Sequence, residues 1–138
     1  MSRFLDTNVL LYSIDTSTVN ARKRERAAEL LEATDNVLSV QVLQEFYVQC
    51  TRASRTDTLP HEVAVGLIDA WLRYPIVGSS VDLLRRGLDL RARYTWSYRD
   101  AAVVAAALDA GCTELMTEDL NRGLKVDGLT IVDPFVDH

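Results

Sequence analysis

Four carboxylates stand where a parallel sheet would gather them. Asp6 closes an apolar stretch, and Glu45 lies in the first turns of a helical pattern. Asp100 lies in the first turn of a later helix, and Asp119 follows a short apolar run. Carboxylates aimed at one spot repel one another at neutral pH, so a cluster of them persists where a cation sits among them. Oxygen-only ligands suit Mg2+ or Mn2+ rather than zinc or copper. An ion so held lowers the pKa of bound water, and a second can offset charge on a leaving oxygen; the substrate class this predicts is a phosphodiester.

Each acid also has an ordinary structural explanation. Asp6 suits a strand-end turn, although Phe4 and Leu5 before it put it close to the core. Glu45 lies off the apolar stripe of its helix and would suit a solvated face. Ser97-Tyr98-Arg99-Asp100 fits a capping box, and an acid there complements the helix dipole. Asp119 suits a cap for the turn around Leu120–Gly123. The four placements together point to chemistry more strongly than any one alone.

The elements that must position these acids are short apolar runs alternating with helical patterns. Strands are expected at Arg3–Asp6, Asn36–Val40, Ile76–Ser79, Glu114–Thr117 and Leu129–Val132, with Val9–Tyr12 an apolar turn or helix start. Asn20 is the expected N-cap of a helix to about Ala33, with Ala27, Leu30 and Leu31 on one face. Gln41–Ala53 carries Leu43, Phe46, Tyr47 and Cys50 at helical spacing. Pro60 opens a helix with a stripe of Ala64, Leu67, Ile68, Trp71 and Leu72. Val81–Tyr94 is expected to turn Leu84 and Leu88 inward. Ser97–Ala110 is a further helix, stopped by Gly111 as a left-handed cap, and Pro134 ends regular structure. Strands separated by helices predict an α/β fold with a central parallel sheet flanked by helices. Ligands bind beyond the carboxyl ends of such strands, which is where the four acids fall.

The 138 residues suit one domain, 1–138, able to bury a core without staples. No apolar run approaches a membrane span, and MSRFLDTN has no basic flank leading into an apolar stretch. A cytoplasmic location with no membrane partner follows as the expectation. Cys50 and Cys112 have no neighbour at zinc-ligand spacing and read as small buried hydrophobes. The net charge of −5 argues against a uniformly basic nucleic-acid surface. It leaves room for a nucleic-acid enzyme whose cations are metal ions.

The segments Phe4-Leu5-Asp6-Thr7-Asn8-Val9-Leu10, Val42-Leu43-Gln44-Glu45-Phe46, Trp96-Ser97-Tyr98-Arg99-Asp100-Ala101-Ala102 and Met116-Thr117-Glu118-Asp119-Leu120 resemble, in order and spacing, the acidic motifs of the PIN-domain nucleases. The ending Ile131-Val132-Asp133-Pro134-Phe135 resembles that of the bacterial toxin branch called VapC. The resemblance implies a PIN-like three-layer fold and an Mg2+-dependent endoribonuclease, with Mn2+ as the other candidate ion. It implies a homodimer silenced by a cognate, VapB-like antitoxin, for which an amphipathic helix carrying an Arg into the carboxylates is a plausible device. Asp6, Asp100 and Asp119 become the metal ligands, with Glu45 acting through water or as a base. Thr7, Asn8 and Thr117 match polar positions that orient acids or water. Glu118 is then an exposed neighbour of Asp119. Attack by water would leave 5′-phosphate and 3′-hydroxyl ends and need no catalytic His. His61 and His138, the two histidines, read as surface residues.

Among the basic residues, clustered at Arg22, Lys23, Arg24 and Arg26 and again at Arg52 and Arg55, Arg99 and Arg122 are the ones expected near the site as RNA contacts. The default for the others is a solvated helix face. Two other acid-site proteins fit less well. A haloacid-dehalogenase-type phosphatase wants a second Asp where Asn8 stands, and a Lys that Lys125, in a loop-like segment, does not supply. A response-regulator receiver wants paired acids after the first strand. A PIN fold retained as a catalytically silent interaction module is the alternative from a different class.

Overall fold

The computed structural model describes residues 2–136, so His138 lies outside the described residues. The chain runs β1 (Arg3–Leu5), α1 (Thr7–Ser13), α2 (Ala21–Glu32), β2 (Asn36–Ser39), α3 (Val40–Cys50), α4 (His61–Trp71), β3 (Ile76–Val77), α5 (Val81–Tyr94), α6 (Tyr98–Asp109), β4 (Glu114–Met116), β5 (Lys125–Val126) and β6 (Leu129–Val132). The strands form one sheet in the order β3-β2-β1-β4-β6-β5. It is parallel except for β5, which pairs antiparallel with β6. Among the described residues six helices flank it in a three-layer α/β arrangement, as the strand–helix alternation predicts.

The order of strands creates the site. From β1 the chain moves outward through β2 to β3, then crosses back to place β4 on the other side of β1. Neighbouring crossovers therefore diverge between β1 and β4, leaving a crevice at their carboxyl ends. Register sets Leu5 beside Met116, so the residues that follow them leave the sheet side by side. The Asp6 amide donates to the Met116 carbonyl at 3.0 Å and extends that pairing by one step.

Serines start the helices that flank the crevice. Ser39, Ser80 and Ser97 accept hydrogen bonds from the amides of Val42, Leu83 and Asp100. Each satisfies a donor that the first helical turn leaves without a partner. Asn20 precedes α2 but makes no side-chain cap; its amide donates to Asp15 instead, at 2.8 Å. Residues Ala101 to Ala107 of α6 are all buried, which fits their small size. This helix ends as expected: Gly111 has φ +72°, and the amides of Gly111 and Cys112 bond back to Leu108 and Ala107. That reversal feeds the chain into β4.

Several expectations are corrected. Leu84 and Leu88 are 45% and 50% exposed; Gly87 and Leu90 are the buried residues of α5. The helix carries two apolar stripes, and the one containing Gly87 wins because it admits α6. A Cβ on Gly87 would lie 3.2 Å from the Tyr98 ring and 3.5 Å from the Ala102 backbone. Leu72 caps α4 and is exposed, outside the stripe that buries Ala64 and Trp71. Val40 belongs to α3 rather than β2, because Ser39 caps there. The third strand stops at Val77, the fourth at Met116, and α3 stops at Cys50. Lys125 lies in β5, not in a loop. Both cysteines are free and buried, and burial pushes both thiols up.

Candidate active site

Asp6 is buried at 1% exposure and caps α1, accepting from the Thr7 amide at 2.6 Å. Its role as a strand-end cap and its presence in an acidic site are therefore both real. Its second oxygen accepts from the Thr117 hydroxyl at 2.8 Å. Thr117 is fully buried just beyond β4, and its oxygen also accepts from the Asp119 amide at 3.1 Å and from Asn8 Nδ2 at 3.3 Å. Asn8 Nδ2 lies 3.2 Å from Asp119 Oδ2, and Thr7 donates to Glu45 at 3.3 Å. The three polar residues thus tie Asp6, Glu45 and Asp119 to the β1 and β4 ends. Asn8 Oδ1 is buried with no hydrogen-bond partner among the described residues.

The four acids converge on one side chain, Arg99. Its guanidinium meets Asp6 at 2.8 Å, Glu45 at 2.8 Å, Asp100 at 2.9 Å and Asp119 at 3.5 Å. Nε points at both Glu45 oxygens, and the terminal nitrogens reach the aspartates. Burial opposes the charge on Arg99, but the Asp6 and Glu45 carboxylates outweigh it and hold the guanidinium above its already high range. Burial and the Asp6 charge together push the Asp119 carboxyl up, against Arg99 and Asn8.

Half of the expected capping box forms. Ser97 accepts from the Asp100 amide, while the Asp100 carboxylate turns to Arg99. Glu118 is not an exposed neighbour. Tyr12 donates to it at 2.6 Å and Lys23 at 3.0 Å, and the Lys23 ammonium sits over the Tyr12 ring. This clamp joins α1, α2 and the segment after β4, and it holds Glu118 apart from Asp119. No spacing in the sequence announced it. Nor did any signal place Arg99 at the centre of the acids rather than at their rim.

Arg122 is exposed and makes no hydrogen bond or ion pair to the four acids among the described residues; it lines a shallow depression with Thr130 and Asp133. His61 is exposed and shares a 2.8 Å hydrogen bond with the Tyr47 hydroxyl. Gln44 and Tyr98, chain neighbours of Glu45 and Arg99, line a cleft of about 230 Å³ with Ser39, Ser80 and Leu83.

With Arg99 among them, the acids are spread around a planar guanidinium. Among the described residues no three His, Cys, Asp or Glu side chains are disposed to hold a metal ion as they stand. The chemistry of the donor set still fits a hard divalent ion: all four side chains offer oxygen, and a cationic group already occupies their centre.

The fold and the gathered carboxylates define a class: an α/β protein with an acidic site at the carboxyl edge of a mostly parallel sheet. The PIN domain family matches residues 3–125, and the chain belongs to that family. Similar solved structures include a toxin–antitoxin complex from Klebsiella pneumoniae, at 23% identity and TM-score 0.71, covering 97% of this chain and 98% of that one. The toxin VapC20 of Mycobacterium tuberculosis, described as cleaving the sarcin–ricin loop, is 20% identical with TM-score 0.68, covering 86% and 92%. DNA-bound VapBC from Salmonella typhimurium is 17% identical with TM-score 0.67, covering 97% and 98%. At these identities the likeness shows the fold. A comparison with curated protein sequences finds no match.

Proposed function

We propose that this chain is a divalent-metal-dependent endoribonuclease and the toxin half of a VapC-type toxin–antitoxin pair. The observation that carries the reading is the convergence of Asp6, Glu45, Asp100 and Asp119, from four separate segments, on one cationic centre. Membership of the PIN family supports it, as does the likeness to toxin–antitoxin complexes and to a toxin that cleaves the sarcin–ricin loop.

Asp6, Asp100 and Asp119 would hold Mg2+, with Mn2+ as the alternative ion. When bound, the ion supplies water activation and charge neutralisation at the phosphate. Glu45 accepts the proton of the attacking water or orients it. Thr7, Asn8 and Thr117 fix the carboxylates by the bonds described above, a support without which ligands lose affinity. Arg99 and Arg122 are the candidates for RNA phosphate contacts, and the cleft beside Tyr98 and Gln44 offers a path for the strand. Cleavage leaves 5′-phosphate and 3′-hydroxyl ends. Residues 1–138 act as one domain in the cytoplasm, as a homodimer silenced by a VapB-like antitoxin. No helix among the described residues is long and apolar enough to cross a membrane.

The test is incubation of total RNA with purified protein in Mg2+, Mn2+ or EDTA, beside the Asp6→Asn/Asp100→Asn double variant. Discrete cuts that need metal and vanish in the variant are expected. RNA left intact by the wild type under every condition favours the silent interaction module, and 2′,3′-cyclic phosphate ends sink the hydrolytic mechanism.

A further inference from the structure

Four acids face one guanidinium, so the site has a resident cation and formally more negative than positive charge. The guanidinium spends its donors on all four carboxylates at once. That leaves no three of them arranged for a metal ion. Planar, bidentate donors match carboxylate pairs well, so this is a strong way to hold acids together without metal. The side chain of Arg99 is 30% exposed, so it has a route to solvent that does not cross the core.

We propose that Arg99 is an internal counter-ion that competes with the divalent ion, so that metal loading and the seated guanidinium exclude one another. The inference rests on the metal-site reading above and adds its regulation. In the metal-free protein, Arg99 offsets carboxylate repulsion and keeps the crevice formed. On loading, the guanidinium leaves the acids and stands at the mouth of the site, where its N–H fork suits a phosphodiester. The exchange makes the protein hard to load at low metal concentration, because each ion must first displace four charge-assisted contacts.

The test is calorimetric titration of the full chain with Mn2+, together with thermal unfolding in EDTA and in Mn2+. It compares wild type, Arg99→Gln, Arg99→Lys and Asp6→Asn. Arg99→Gln is expected to bind Mn2+ about tenfold more tightly or better, as one unit charge a few ångströms away is removed. It should also melt lower than wild type in EDTA and gain more from Mn2+. Arg99→Lys keeps the charge but loses the fork, and is expected to bind about threefold more tightly than wild type. It carries the test if Arg99→Gln does not fold. Folded Arg99 variants that bind Mn2+ no more tightly than wild type overturn the competition and leave the metal site standing. Failure of wild type and Arg99 variants alike to bind Mn2+, or Asp6→Asn binding as tightly as wild type, overturns the metal-site reading and this inference with it.

Discussion

Replacing Thr117 with Val removes one hydroxyl and almost no volume, so it isolates a hydrogen-bonding role. That hydroxyl donates to Asp6 at 2.8 Å and accepts from the Asp119 amide at 3.1 Å, in a side chain with no exposure. A hydrogen bond to a charged group contributes roughly 1.5–3 kcal/mol, and leaving the Asp119 amide without its partner costs about 1 kcal/mol more. The expected loss is therefore roughly 2.5–4 kcal/mol. For a chain of this length each kcal/mol is worth roughly 3–5 °C, so Tm should fall by about 8–20 °C. Thr117→Ser keeps the hydroxyl and loses one buried methyl, at about 1 kcal/mol. The predicted order of stability is Thr, then Ser, then Val. Ordinary apolar burial predicts the opposite order for the two variants. Thermal denaturation in EDTA reads this order, and Mn2+ titration should show the Val variant weakened by roughly 10–100-fold as Asp6 and Asp119 lose their shared support. A Val variant as stable as the Ser variant, with metal affinity intact, would refute the reasoning.

Two further predictions concern the surroundings. Tyr12→Phe removes the 2.6 Å bond to Glu118 and should cost about 1 kcal/mol, read as a small drop in Tm; an unchanged Tm would show that Lys23 alone holds the clamp. Cys50 and Cys112 have thiols raised above the ordinary value of 9.0, by burial first. The unfolded chain releases those protons at lower pH than the folded one, so the stability they contribute is present below about pH 9 and lost as pH rises beyond it. Native protein should resist thiol reagents at neutral pH and lose stability in alkali, less steeply after Cys50→Ala; rapid modification of the native protein would contradict this.

The helices and strands were legible because short apolar runs and amphipathic periods alternate along the chain. The misreadings have physical causes. In α5, leucines at Leu83, Leu84, Leu88 and Leu90 mark two faces, and hydrophobicity does not choose between them. Gly87 does, because the inward face must let Ala102 approach. The β5–β6 hairpin did carry a signal in Asp127-Gly128, a pair suited to a two-residue turn with both φ positive, and the structure has φ 47° and 89° there. β5 itself is too short to declare a period.

The candidate site was legible in a different way. The rule that ligands bind beyond parallel strands gathered all four acids; Asp6 follows β1 directly, and Asp119 lies three residues past the end of β4. The order β2-β1-β4, which makes those two strands neighbours, is set by how the crossovers pack and is not written in any local pattern. Arg99 shows where local reasoning stops. Along the sequence it stood beside Asp100 as a cation expected near the site to contact RNA, not as the partner of all four acids. Ser97 fixes the first turn of α6, and that cap turns Arg99 and Asp100 toward the same crevice. Once Asp6, Glu45 and Asp119 arrive from other elements, the nearest positive charge becomes their common partner. The gathering of acids and the seating of Arg99 are thus one electrostatic event, and perturbing either should be felt in the other.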